Sequence, residues 1–510
     1  MANNTRREIT LGRDLERKRG TEGSVPKGSE LGRELPNNKN NKATGNRDLS
    51  KLGENIEREQ SRQSKKNDVA LEIIERTEFL RPLLYAQDID LYNEDPSSGG
   101  YIKGRYEGKG AERRFERGDS TRHNDYLENS TITDIGFDGN HLYVVDNDIG
   151  HYRVNDPEKD PRIKEGLPPI KVTASEVDTL ARNVSNQMGE KYTTASPIFD
   201  AELGYLRTNF VHPSVAPYGN TMALRVSRPS LAIKDLSEMA TPEVDELMQA
   251  FMRTKTNLLI SGSTGAGKTE YQKALVGYIP NNQKITLMED TLDSHIKEIY
   301  PEKDINSWRT VINEDDAKVA DNIDFHTLLR AALRNFPDWA MVSEVRGSEA
   351  GALLSVALSG HAVMTTMHTQ GAESIPERLA DMVSMGNSNM DYGALQRNIL
   401  SVFKIGIHLE RGVDPDTGKT IRYIREIYEF VDYDKDNGVI GYPIYRRYQQ
   451  YDNVTETYKV RKQHYRMSDD MLRRLEDNRE LDNIPYVFRR GEYEHKTMAD
   501  RRNITKGDDD

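Results

Sequence analysis

The segment Gly262-Ser263-Thr264-Gly265-Ala266-Gly267-Lys268-Thr269 fills every position of the pattern G-x-x-x-x-G-K-[ST]. It stands directly after the apolar run Leu258 to Ile260 and before a helical stretch through Ala274 and Leu275. No other part of the chain restricts the fold so strongly. Its glycines bend the loop so that backbone N–H groups and a helix N-terminus converge on one anion, which demands a strand on one side and a helix on the other. In that setting Lys268 reaches the β- and γ-phosphates of a nucleotide, and the Thr269 hydroxyl holds Mg²⁺. The expected ligands are therefore ATP and Mg²⁺.

The surrounding pattern agrees with such a loop. Leu258 to Ile260, Ile285 to Met288, Ala340 to Val342 and Ala362 to Met367 are short apolar runs separated by segments of helical length and period. This alternation predicts a mostly parallel sheet covered by helices. Phosphoryl transfer to water also needs carboxylates at neighbouring strand ends, and two are available. Glu289 closes Leu287-Met288-Glu289-Asp290-Thr291, and Glu344 lies in Val342-Ser343-Glu344-Val345-Arg346-Gly347. Glu344 is read as the Mg²⁺-water ligand and Glu289 as the group that polarises the attacking water, although the sequence alone lets them exchange roles. Of the two histidines bracketing the last run, His361 and His368, the second sits at the C-terminal strand end, where doubly wound sheets bind ligands. It is the candidate sensor of the γ-phosphate.

Composition sets the outer limits. A chain of 510 residues exceeds one ordinary domain, and 35% hydrophobic with 30% charged residues leaves part of it too polar to pack. That part is 1–68, predicted to be a disordered tail: the first aromatic residue is Phe79, and residues 1–70 hold 16 Lys and Arg against 11 Asp and Glu. A short pattern recurs in it as Leu11-Gly12-Arg13-Asp14-Leu15, Leu31-Gly32-Arg33-Glu34-Leu35 and, weakly, Gly45-Asn46-Arg47-Asp48-Leu49. It reads either as chance in a low-complexity segment or as docking motifs. The overall charge of −12 argues against a chain built to coat nucleic acid or an anionic membrane. With no cysteine there is neither a disulfide framework nor a thiol nucleophile. No run approaches a membrane span, so the expectation is a cytoplasmic protein.

Four further segments follow. Residues 69–129 are a helix, disturbed at Pro82, and a polar linker. Residues 130–235 are a smaller α/β domain, with a hairpin of Ile132 to Phe137 and Leu142 to Val145 and a helix capped at Ser175 and ended near Gly189. Residues 236–432 carry the parallel sheet and end in a hairpin turning through Asp414-Pro415-Asp416-Thr417-Gly418. Residues 433–510 form an extension of β-hairpin and helix.

The order of these motifs resembles the ATPases of type II and type IV secretion systems. The phosphate loop, Glu289-Asp290-Thr291, Leu333-Arg334-Asn335-Phe336-Pro337-Asp338, Glu344 to Ala350 and Gly360-His361 with His368 carry the resemblance, which reaches upstream through Ser196 to Ala201, Arg207 and Leu224-Arg225. It implies a RecA-like P-loop NTPase motor domain behind a smaller N-terminal α/β domain, with ATP between them. It further implies a homohexameric ring at the inner face of the membrane, working for a membrane-embedded secretion, conjugation or pilus platform. Arg207 and Arg225 match family arginines that approach the phosphates. Ser343 departs from the usual glycine, and the spacing of His361 and His368 fits the pilus and type II branches, whereas Arg346 to Ala350 fits the conjugation and tight-adherence branch. Two rivals stand beside the transport motor: a nucleic-acid translocase and a nucleotide-binding scaffold with little turnover.

Two C-terminal patterns have simpler readings. Asp432 to Asp436 opens like a calcium loop but places Asn437 and Pro443 where Gly and Glu are needed, so it predicts a hairpin turn. The tyrosines from Tyr442 to Tyr465, interleaved with Arg446, Arg447, Lys459, Arg461 and Lys462, have the period of strands covering an accessory sheet; single-stranded nucleic acid is the alternative.

Overall fold

The computed structural model describes residues 65–84, 131–227, 231–233, 235–311, 322–386, 391–414, 419–490 and 496–497. All of them fall within one compact unit, Ser61–Asp510. The tail repeats, the linker from 88 to 129 and most of the Asp414 to Gly418 turn lie outside the described residues.

The N-terminal domain is a six-stranded antiparallel sheet. Strands β1 (Ile132–Phe137), β2 (Leu142–Asp146), β3 (Gly150–Arg153), β4 (Ile198–Leu203), β5 (Leu206–Val211) and β6 (Thr221–Val226) take the order β3-β2-β1-β6-β5-β4. Burial alternates along β2, β5 and β6, as expected of a sheet with one face on the core. That face packs on helix α1 (Ala174–Met188) through Val177, Leu180, Ala181 and Val184. Thr173, not Ser175, caps α1. Its side chain accepts from Glu176 N while the Glu176 carboxylate reaches back to the cap, a reciprocal box worth about 1 kcal/mol. Glu176 therefore decides the start, being three residues after Thr173 and only one after Ser175.

The chain is helical over 65–75 and again at Arg81–Leu84. Ala70, Leu71, Ile74, Phe79, Leu80 and Leu83 join the same core, and Lys66 Nζ donates to Met188 O at 3.2 Å. These residues are part of the N-terminal domain. Pro82 falls inside the second short helix, where a first turn leaves its missing N–H without consequence.

The second sheet is built as the apolar runs predict, with more strands than they reveal. Strands β7 (Leu258–Gly262), β8 (Ile285–Glu289), β9 (Ile305–Arg309), β10 (Trp339–Val342), β11 (Ala362–Met367) and β12 (Ile405–Val413) lie parallel in the order β9-β8-β10-β11-β7-β12. Alternate residues feed two cores: Leu258, Ile260, Trp339 and Met341 face one side, Leu259, Ala340, Val342 and Val363 the other. Helices α2 (Pro242–Arg253) and α3 (Lys268–Tyr278) cover the first side. Helices α4 (Phe325–Ala332), α5 (Glu349–Leu358), α6 (Ile375–Gly386) and α7 (Tyr392–Val402) cover the second. Strand β9 (Ile-Asn-Ser-Trp-Arg) is an edge strand with little apolar content, which hid it in the sequence.

The sheet does not stop at 432. Antiparallel strands β13 (Thr420–Asp434), β14 (Gly438–Asp452) and β15 (Thr457–His464) extend it beyond β12. The β13–β14 turn is closed by Asp434, whose carboxylate accepts from Asp436 N and Asn437 N. The tyrosines divide: Tyr442, Tyr445 and Tyr465 are buried, whereas Tyr448, Tyr451 and Tyr458 are exposed on the far end of the β14–β15 ribbon. All but Tyr465 belong to the second sheet itself rather than to an accessory one. After it, Met467, Met471, Leu475 and Phe488 return to the first core, and Arg253 pairs with Glu480 at 2.9 Å.

Candidate nucleotide site

The phosphate loop leaves β7 between two neighbours, β11 and β12. Gly262 closes the strand where a side chain has no room, since a Cβ there would lie 2.5 Å from Leu409 O on β12. Gly267 has φ +90°, caps α3 in the left-handed conformation and lets Tyr271 N bond to its carbonyl at 2.8 Å. The N-terminus of α3 thus opens on the loop.

Lys268, the first residue of α3, is only 8% exposed. Its Nζ donates to the carbonyls of Gly262 (3.0 Å) and Ser263 (3.3 Å) and lies 3.3 Å from His368 Nε2. Burial lowers its pKa, against a pull in the other direction from Glu344.

His368 follows β11 and Glu344 follows β10, so neighbouring parallel strands deliver both to the same edge. His368 Nε2 is 3.0 Å from Glu344 Oε1. Arg346 donates to Glu344 Oε2 at 2.9 Å. Burial alone pushes the Glu344 carboxyl up, but the hydrogen bond and charge of Arg346, with His368 and Lys268, hold it below the usual carboxylate range. Glu344 is therefore an ionised acceptor at neutral pH. His361 stands at the opposite end of β11, beside Ser359 Oγ at 3.0 Å, and takes no part. Ser343 has no left-handed backbone, so the glycine usual in the family is not needed there for conformation.

Glu289 is placed differently from Glu344. It is 2% exposed at the end of β8, accepts from Ser294 N at 3.1 Å, and burial pushes its pKa up to about 7. The loop after it reaches the N-terminal domain instead. Asp293 accepts from Arg207, and Ser227 Oγ donates to Asp293 O at 2.7 Å. Glu202 adds a contact to Arg309 at 3.6 Å. Arg225 stands directly opposite Arg207 across β5 and β6, but its guanidinium is held by Asp134 on β1 at 2.9 Å. Arg207, Arg225, Asp134, Tyr143, His151 and Asp200 line a cleft of about 530 Å³ on this sheet. The structure thus joins Lys268, His368 and Glu344, ties Arg207 to the loop after Glu289, and keeps Arg225 within its own domain.

Reading the motifs misses three arginines. Arg346 is quoted in the strand-end motif but given no role, although its place two residues after Glu344 is the signal for pairing. Arg411 and Arg422 lie in the final hairpin, far from the loop in sequence, and no local pattern marks them.

Among the described residues no group of three or more acidic or histidine side chains could hold a metal ion. No helix among the described residues is long and apolar enough to cross a membrane.

Residues 206–429 match the family model described as Type II/IV secretion system protein. An uncharacterized protein of Bacillus anthracis is 34% identical over 309 residues, covering 59% of this chain and 65% of that relative, a little under two thirds of its length. The type IV secretion system protein VirB11 of Brucella suis biovar 1 is 28% identical over 259 residues, 44% of this chain and 68% of that protein. A crystal structure of the VirB11 ATPase from the same system, in complex with sulphate, aligns with 61% of this chain and 92% of that chain at 21% identity and a TM-score of 0.31.

Proposed function

With residues 206–429 in the Type II/IV secretion system protein family, we propose that this chain is a RecA-like, Mg²⁺-dependent ATPase that drives a type IV secretion, conjugation or pilus machine from the cytoplasmic face of the membrane. The observation that carries the reading is the contact of Lys268 with His368 and of His368 with Glu344 beside a complete phosphate loop. Lys268 moves from the Gly262 and Ser263 carbonyls to the β- and γ-phosphates. Glu344, ionised and partly shielded from solvent, orients the attacking water and accepts its proton, and His368 stands between the two and registers the γ-phosphate. Glu289 is the second acid at this edge; its raised pKa suits it to polarise water if its bond to Ser294 opens. Bound beside Thr269 and Glu344, Mg²⁺ supplies neutralisation of phosphate charge.

Arg207 adds a cation from the N-terminal side, already seated on the loop after β8, and Arg225 follows when Asp134 releases it. Closure of the two domains on ATP, and reopening on its loss, converts hydrolysis into movement. The active form is a ring of identical subunits, six by family resemblance, that meets a membrane-embedded platform.

Turnover measured against protein concentration, with and without single-stranded DNA, tests this. A rate that rises with assembly and ignores DNA supports the transport motor. Stimulation by DNA points to a translocase, and ATP binding without turnover points to a scaffold.

A further inference from the structure

On the β12 side of the phosphate loop, Arg411 and Arg422 stand directly opposite each other across β12 and β13. Like charges in that position repel. Among the described residues neither has a carboxylate within ion-pair distance, in contrast to Arg207, Arg225 and Arg346. Burial, and then the charge of Arg411, depress the pKa of Arg422, while Glu270 and Asp134 pull the other way from beyond ion-pair distance.

The pair is also aimed at one place. Arg422 Nε donates to Gly265 O at 3.0 Å, and a Cβ on Gly267 would sit 3.1 Å from Arg422 Cδ. A Cβ on Gly265 would lie 3.6 Å from one Arg411 guanidinium nitrogen, and a Cβ on Gly150 of β3 would lie 3.7 Å from the other. Arg411 thus lies beside both the phosphate loop and the N-terminal sheet. The same hairpin is anchored to that sheet, since Thr420 N donates to Asp148 O at 3.1 Å and Lys419 lies 3.6 Å from Asp148.

Strand order fixes what these arginines can touch. Glu344 and His368 come from β10 and β11, on one side of β7; Arg411 and Arg422 come from β12 and β13, on the other. With the γ-phosphate at Glu344 and His368, as the functional reading has it, the second side meets the part that stays after hydrolysis.

We infer that Arg411 and Arg422 form a phosphate clamp for the retained diphosphate of the nucleotide, Arg422 held in place by the Gly265 carbonyl and Arg411 reaching from the domain boundary. The inference rests on the nucleotide reading above. Its consequence is uniform binding: the clamp holds ATP and ADP alike, lowers KM and leaves kcat largely alone.

The test measures affinity of the full chain for ADP, ATP and inorganic pyrophosphate by calorimetry, comparing wild type with Arg411→Ala, Arg422→Lys and the double alanine variant. The double variant is expected to weaken all three ligands by one common factor of about tenfold or more. Arg422→Lys, which keeps the charge and loses the planar fork, falls between. Arg411 is exposed, so Arg411→Ala keeps the test open if the double variant does not fold, and it is expected to weaken ADP severalfold. Unchanged ADP affinity in Arg411→Ala and in a folded double variant overturns the clamp, as does a loss confined to ATP or to kcat. If wild type itself binds no nucleotide, the functional reading fails instead, and the two failures are thereby distinct.

Discussion

Two pairs of arginines face each other across antiparallel strands in this molecule, and they differ in what balances them. Arg207 and Arg225 on β5 and β6 each own a carboxylate, Asp293 and Asp134. Arg411 and Arg422 on β12 and β13 own none among the described residues, and one of them leans on a backbone carbonyl. The first pair is neutralised at rest and must exchange partners to meet phosphate. The second has no carboxylate to exchange. A cation that gives up an ion pair contributes less to ground-state binding and can act selectively as charge develops, while an unpaired one binds whatever phosphate arrives.

Both pairs depend on a nucleotide being present, so the severest test removes it. Lys268→Ala is expected to abolish measurable turnover, a loss of about 10³-fold or more, and to weaken ATP binding. Normal hydrolysis by this variant would dissolve the comparison altogether. Glu344→Gln touches the chemistry but neither arginine pair. It should slow hydrolysis by about 100-fold while ATP stays bound, seen as a trapped ATP complex after rapid filtration. Next comes the comparison itself: Arg207→Ala and Arg225→Ala should lower kcat by about tenfold with ADP affinity preserved, the reverse of the pattern expected at Arg411 and Arg422. Kinetics that show a KM effect at Arg207 would make the two pairs equivalent.

The smallest effect concerns Glu289. Its folded pKa of about 7 exceeds the ordinary 4.5, so between those values the folded protein binds the extra proton, and stability falls as pH rises through that window. Glu289→Gln should flatten that part of a urea-denaturation profile across pH. Burial also pushes Glu426 up to about 7, so a residual slope is expected to remain. A profile unchanged by Glu289→Gln would mean the carboxyl is already solvated.

The nucleotide loop, the parallel strands and the two acids are legible in sequence because each is a local pattern: consecutive glycines, a continuous apolar run, an acid after a strand. Residues 258–262 and 339–342 are buried throughout, as such runs imply. Strand β9 is not legible, because an edge strand of mixed polarity has no run to read. The cap of α1 moves from Ser175 to Thr173 because a box needs its glutamate three places on.

By itself, then, the sequence determined which residues bend around phosphate and which elements must stand on either side of them, since backbone N–H direction and strand burial follow from neighbours in the chain. Only the tertiary structure decided who partners whom. That Glu344 meets His368, that Arg207 is held by a loop of the other domain, and that Arg411 and Arg422 arrive from the far flank all follow from the way the strands are ordered and packed. Strand order is set by packing two cores at once, and contacts between residues on different elements leave no periodic trace in either partner.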